Sequence, residues 1–190
     1  LGVLVALALA RILHEAGFPG GAFNVVTGLG PEAGAALVEH PEVDAITFTG
    51  ETTTGGAIMR ASSENVKALS FELGGKNPSI VFADADFDAA IEGTVRSVFA
   101  NCGQVCLCSE RVYVERPIFD KFVSTLKDKA EGMKLGRPED SDTQMGPLIS
   151  AEHRAGVAAR VAAARTEGAR LLLGGARRYR PPVCAGGAGA

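Results

Sequence analysis

Apolar residues along this chain come in short runs separated by glycine, proline and charged positions, and their spacing changes from run to run. From Leu1 to Leu13 almost every position is apolar, with Arg11 the first charge. The run closes at Ala16-Gly17-Phe18-Pro19-Gly20, which predicts a mostly buried helix. Ala22-Phe23-Asn24-Val25-Val26 reads as a short buried strand ending in Thr27-Gly28-Leu29-Gly30. Pro31 suits a helical first turn, where the amide that proline lacks has no intrahelical partner anyway, and predicts a helix through Val38. Val43 to Phe48 is a second strand, Thr49-Gly50-Glu51 a turn into a helix reaching Ala61, and Val66 to Phe71 a third strand. Strands alternating with helices of this length imply βαβ units and a largely parallel sheet.

Beyond Glu72-Leu73-Gly74-Gly75-Lys76 the alternation resumes. Ser79 to Phe82 is a strand, and Asp86 can cap a helix from about Phe87 to Ala100 by accepting from its first-turn amides. Arg111 to Val114 is another strand. Pro117 opens a helix whose apolar stripe, Ile118, Phe119, Phe122, Val123 and Leu126, follows the 3.6-residue period. A polar loop from Gly136 to Gly146, an alanine-rich helix from about Ala151 to Thr166 and a strand at Leu171-Leu172-Leu173 complete the pattern. Gly174 to Ala190 has no periodicity and is expected to be poorly ordered. The glycine pair at 74–75 marks the expected boundary between two domains.

The chain has 190 residues, 46% hydrophobic and 22% charged, an ordinary globular composition that excludes a disordered tail or a coiled coil. Its net charge of −3 is spread out, which argues against nucleic acid or an anionic membrane as partner and leaves small ligands open. The apolar start is too short to span a bilayer and lacks a basic flank. Four cysteines, three of them crowded at Cys102, Cys106 and Cys108, do not form a secreted disulfide framework and point to a reducing cytoplasm. Leu in place of an initiating Met suggests an excised piece of a longer protein.

Two groups of residues offer chemistry. Thr49-Gly50-Glu51-Thr52-Thr53-Thr54-Gly55 lies between strand and helix, where free amides and the positive end of the helix dipole could receive a phosphate, although Glu51 places a negative charge there. Gly28-x-Gly30 is a weaker turn of the same kind. The cysteine cluster sits between a helix and a strand, so one thiol could be an accessible nucleophile. All three could equally be small buried hydrophobes, or soft metal ligands, a reading weakened by the scattered histidines and the lack of C-x-x-C. Glu72, at the end of an apolar strand before two glycines, could be a partly desolvated general base with a raised pKa, or simply a solvated turn carboxylate.

Phe71-Glu72-Leu73-Gly74-Gly75-Lys76-Asn77-Pro78 and the Phe99 to Cys106 segment resemble, in order and separation, the two signatures of the NAD(P)-dependent aldehyde dehydrogenase superfamily. Phe48-Thr49-Gly50-Glu51-Thr52 to Gly55 is similar to its cofactor turn, and Met145-Gly146-Pro147-Leu148-Ile149 to a further family segment. The run from Cys106 to Pro117 resembles the 2-hydroxymuconic semialdehyde dehydrogenase branch. The resemblance implies an α/β chain in which residues 1–73 end a Rossmann-type cofactor domain, residues 74–175 begin a catalytic domain, and residues 176–190 form a poorly matching tail.

It implies Cys106 as nucleophile and Glu72 as general base in the oxidation of an aldehyde, through a cysteine thiohemiacetal and thioester, to the acid. It implies NAD, with NADP as the alternative, held near Gly28, Phe48, Thr49, Gly50, Glu51, Gly55 and Leu73. No role follows for Cys102 or Cys108 beyond packing, nor for any metal. Intact relatives of this kind are expected to be cytoplasmic homo-oligomers acting on a small aldehyde without nucleic acid or membrane. A truncated, inactive fragment of the same fold is the competing expectation.

Overall fold

A computed structural model describes residues 2–175; the expectations for Leu1 and for the 176–190 tail lie outside the described residues. The chain divides into two compact units, one spanning Leu1–Gly74 and the other beginning at Gly75.

The first unit opens with α1 (Gly2–Glu15), closed by a left-handed Gly17. A single wide helical turn, Gly30–Gly34, leads into the short α2 (Ala35–Glu39). Then come β1 (Ala45–Thr49), α3 (Thr52–Ser62) and β2 (Ala68–Glu72). β1 and β2 pair in parallel from Ala45 opposite Ala68 to Thr49 opposite Glu72, so β1-α3-β2 is a βαβ unit. Alternate side chains explain the pairing: Ile46 and Phe48 face the same side as Leu69 and Phe71, which are half-buried while their neighbours are exposed. The Lys67 ammonium is buried and donates to the His40 carbonyl and, at 2.9 Å, to the Val43 carbonyl, tying the α2 exit to the start of β2.

In the second unit, β3 (Pro78–Val81), α4 (Phe87–Phe99) and β4 (Arg111–Val114) form another parallel βαβ unit. Asp86 caps α4 by accepting from the Ala89 amide at 3.0 Å, as its sequence position predicts. α5 (Phe119–Glu131) lays Phe122, fully buried, against Val81 and Ile91, with Phe87, Val112, Ile118 and Leu126 around them. The Phe122 and Phe87 rings meet edge to face at 6.0 Å, and Phe119, predicted within the stripe, is exposed. The loop after α5 closes with a bridge between Leu135 and Met145 and leads to α6 (Ala151–Thr166), whose first turn is capped by Ser150.

Several expectations change. α1 forms, but none of its residues is buried: Val3, Leu4, Val5, Leu7, Leu9 and Ile12 are exposed. A helix that is apolar around most of its circumference needs neighbours on several sides, and the first unit does not supply them. Residues 22–26 are irregular rather than a strand, as are residues 171–173. An apolar run becomes a strand only where a partner completes its hydrogen bonds, and neither run has a ladder partner among the described residues. Val66 does not start a strand; it takes a left-handed conformation (φ 49°) that ends the turn after α3.

Candidate active site

In the first unit, the parallel strands end side by side and bring most of the sequence-derived residues to one edge. Thr49 lies opposite Glu72, and the Phe48 and Phe71 rings meet edge to face at 6.3 Å. The Gly50 amide donates to the Glu72 carbonyl at 3.0 Å. One amide expected to be free for a phosphate is therefore used to hold the two strand ends together. A side chain at Gly50 would come within 2.4 Å of the Phe48 ring, and one at Gly55 within 2.8 Å of Leu73. Glycine at these two positions lets the turn and the first turn of α3 close onto Phe48 and Leu73. Gly28 has a local reason instead, since a Cβ there would sit 2.8 Å from the Ala33 methyl.

Glu51 precedes α3 in extended conformation without capping it through its side chain. Helical geometry leaves the amides of Thr52, Thr53 and Thr54 without intrahelical acceptors, at the positive end of the α3 dipole. Beside them runs a mainly apolar groove of about 880 Å³, with Pro31 and Val38 on one side, Thr54, Ala57 and Ile58 on the other and Ile46 at its base. Sequence reasoning missed this groove because its lining comes from separate elements with no common spacing. Anion-receptive amides next to an apolar slot suit a ligand that joins phosphate to a flat ring, the chemistry of a dinucleotide.

Glu72 is exposed, which corrects the expectation of a desolvated carboxylate. The side chains of β2 alternate exposed and half-buried, and Glu72 falls at the end of the exposed set.

In the second unit the three thiols part company. α4 ends in a turn in which Asn101, Cys102 and Gly103 are all left-handed, at φ 50°, 60° and 70°. Such geometry costs on the order of 1–3 kcal/mol at each non-glycine position and persists only where neighbours enforce it. Cys102 is half-buried and its thiol donates to the Gly146 carbonyl at 3.2 Å; burial pushes this thiol up, more than that bond lowers it. The Cys108 amide donates to the Val105 carbonyl at 2.8 Å, closing a tight turn with Cys106 and Leu107 at its corners. Cys106 is accordingly exposed and Leu107 is 80% exposed, whereas Cys108 is only 2% exposed. The accessible-nucleophile and packing readings thus apply to different residues of one cluster. Among the described residues no group of three or more His, Cys, Asp or Glu is placed to hold a metal.

Asn77 was not singled out by the sequence, because a lone carboxamide in a glycine-rich run carries no periodic signal. Its side-chain nitrogen donates to the Cys106 carbonyl at 2.6 Å and to the Cys108 carbonyl at 3.1 Å. Two carbonyl partners fix which end of the amide is the nitrogen. The Asn77 backbone N–H donates to Glu110 at 2.9 Å, and Lys76 pairs with the other carboxylate oxygen at 3.5 Å. Burial alone would raise the Glu110 carboxyl, but N–H bonds from its own backbone and from Asn77, with Lys76 alongside, hold it below the ordinary carboxylate range.

Two parallel βαβ units, one ending in a glycine turn beside a groove and the other carrying an exposed thiol on a tight turn, define an α/β chain with a cofactor-type edge and a nucleophile-type turn. The aldehyde dehydrogenase family profile matches residues 1–187, and the chain belongs to that family. It is 56% identical over 186 residues to 2-hydroxymuconic semialdehyde dehydrogenase of Pseudomonas sp. (strain CF600), covering 97% of this chain and 38% of that protein. HpcC from Thermus thermophilus matches with a TM-score of 0.88 at 49% identity, covering 90% of this chain and 33% of the other. Betaine aldehyde dehydrogenase from Staphylococcus aureus, solved in complex with NAD+, matches at 0.87 and 41%, covering 91% and 34%. The chain thus spans well under half the length of the relatives it matches. Among the described residues no helix is long and apolar enough to cross a membrane.

Proposed function

We propose that a full-length protein built around this segment oxidises an aldehyde to the carboxylic acid, with Cys106 as nucleophile and Glu72 as general base. The observation that carries the reading is the position of Cys106 at the exposed corner of a tight turn, while Cys102 is half-buried and Cys108 buried. A carbonyl carbon can reach a thiol there, as nucleophilic catalysis requires. Cys106 Sγ adds to that carbon, and the Cys106 backbone N–H supplies a donor to the developing oxyanion. NAD, when bound, supplies the acceptor for the hydride that leaves the tetrahedral adduct. Cys106 then holds the acyl group as a thioester, and Glu72 takes a proton from the water that hydrolyses it, regenerating the thiol.

The amides of Thr52, Thr53 and Thr54 are proposed to receive the pyrophosphate and the adjacent groove the adenine ring, with Phe48, Thr49, Gly50, Glu51, Gly55 and Leu73 shaping the edge between them. Similarity to the Pseudomonas enzyme favours a 2-hydroxymuconic semialdehyde-like substrate, and similarity to the Staphylococcus enzyme solved with NAD+ favours NAD as cofactor. Free cysteines suit a reducing, cytoplasmic setting. The isolated 190-residue chain, which covers 38% of its Pseudomonas relative, is proposed to lack turnover.

The test is aldehyde-dependent formation of reduced nicotinamide by the full-length protein. Cys106→Ser is expected to abolish it and Cys102→Ser to leave it nearly unchanged. Equal losses would mean that the wrong thiol has been assigned.

A further inference from the structure

We propose that Asn77 is a positioning residue for Cys106: its carboxamide, anchored through Glu110, spans the carbonyls on either side of Leu107 and fixes the turn that presents the thiol. The proposal rests on the reading of Cys106 as nucleophile for its catalytic consequence, but its structural content does not.

The turn needs such a device. Its own hydrogen bond, from the Cys108 amide to the Val105 carbonyl, closes only one side. Upstream, Asn101, Cys102 and Gly103 are left-handed, a geometry that relaxes unless it is held. Asn77 grips the turn from the start of β3. Its two side-chain N–H groups take the Cys106 and Cys108 carbonyls, its own N–H goes to Glu110, and its carbonyl accepts from the Arg111 amide at 3.3 Å. All of its polar groups that have partners therefore join the thiol turn or the entry of β4 to β3. Glu110 is fixed in turn by Lys76. Only an amide offers two donors from one planar nitrogen at this reach; aspartate has the same shape with acceptors alone.

Asn77→Asp is thus the diagnostic change: it keeps the volume and sets carboxylate oxygens against two carbonyl oxygens. Losing both hydrogen bonds should raise opening of the turn about tenfold or more. The readout is site-resolved alkylation of the native chain with iodoacetamide, followed by peptide mass spectrometry. Cys108, buried under the turn, is expected to label about tenfold faster in the variant, while Cys102, held by Gly146, keeps its rate and the melting midpoint moves little. An unchanged Cys108 rate overturns the proposal. So does a parallel rise at Cys102 and Cys108 with a collapsed melting transition in both Asn77→Asp and Asn77→Ala, which would make Asn77 a general structural residue.

In the full-length protein, Asn77→Asp is expected to lower kcat about tenfold with KM for NAD unchanged. An opened turn with undiminished kcat also overturns it. A full-length protein without aldehyde oxidation would defeat the proposed function, and the labelling result would still decide the role of Asn77.

Discussion

Cys102, Cys106 and Cys108 show how far neighbouring residues of one type can diverge. Cys106 stands at the corner of a turn, Cys108 is buried beneath it, and Cys102 is half-buried against Gly146. The thiolate is the reactive form, and burial holds Cys102 above the ordinary 9.0. A raised value means less thiolate at any given pH, so alkylation of Cys102 should lag and should keep accelerating at pH values where an ordinary thiol has levelled off. Labelling the folded chain across alkaline pH should give the order Cys106, Cys102, Cys108; Cys102 reacting first would contradict the assigned environments. From sequence, the cluster is legible as a place where a thiol could be exposed. Which thiol is exposed follows from the turn that the Cys108-to-Val105 hydrogen bond and the two Asn77 carboxamide bonds hold, and spacing does not encode that. Glu72 is legible as a strand-end carboxylate, but its exposure is set by which side of β2 it falls on, which spacing alone leaves open.

At the scale of elements, legibility follows whether a segment is completed locally. α4 and its Asp86 cap, β4, and α6 with its Ser150 cap carry their own start and stop signals and form where the sequence places them. Replacing Asp86 by Ala should destabilise the second unit by about 1 kcal/mol, because the Ala89 amide loses its 3.0 Å acceptor. Denaturant unfolding measures this directly, and no loss would mean that the cap is idle. Residues 22–26 and 171–173 have strand composition but no ladder partner among the described residues, and composition alone does not make a strand. The groove beside α3 is illegible for another reason: it exists only because the Gly30–Gly34 turn, α2, β1 and α3 converge on it.

For the whole molecule, the parallel βαβ pattern and the family were both within reach of the sequence, through the glycine turn at 49–55 and the Glu72 and Cys106 signatures. The chain covers 38% of its Pseudomonas relative, and α1, read as buried, lies exposed in a unit that does not cover it. The central claim is that Cys106 carries the acyl group and Glu72 releases it. The most direct measurement is peptide mass spectrometry of the full-length Glu72→Gln protein after brief reaction with 2-hydroxymuconic semialdehyde and NAD. An acyl thioester accumulating on the Cys106 peptide is the expected result. An acyl group on Cys102 or Cys108, or undiminished turnover with no acyl-enzyme at all, would contradict it.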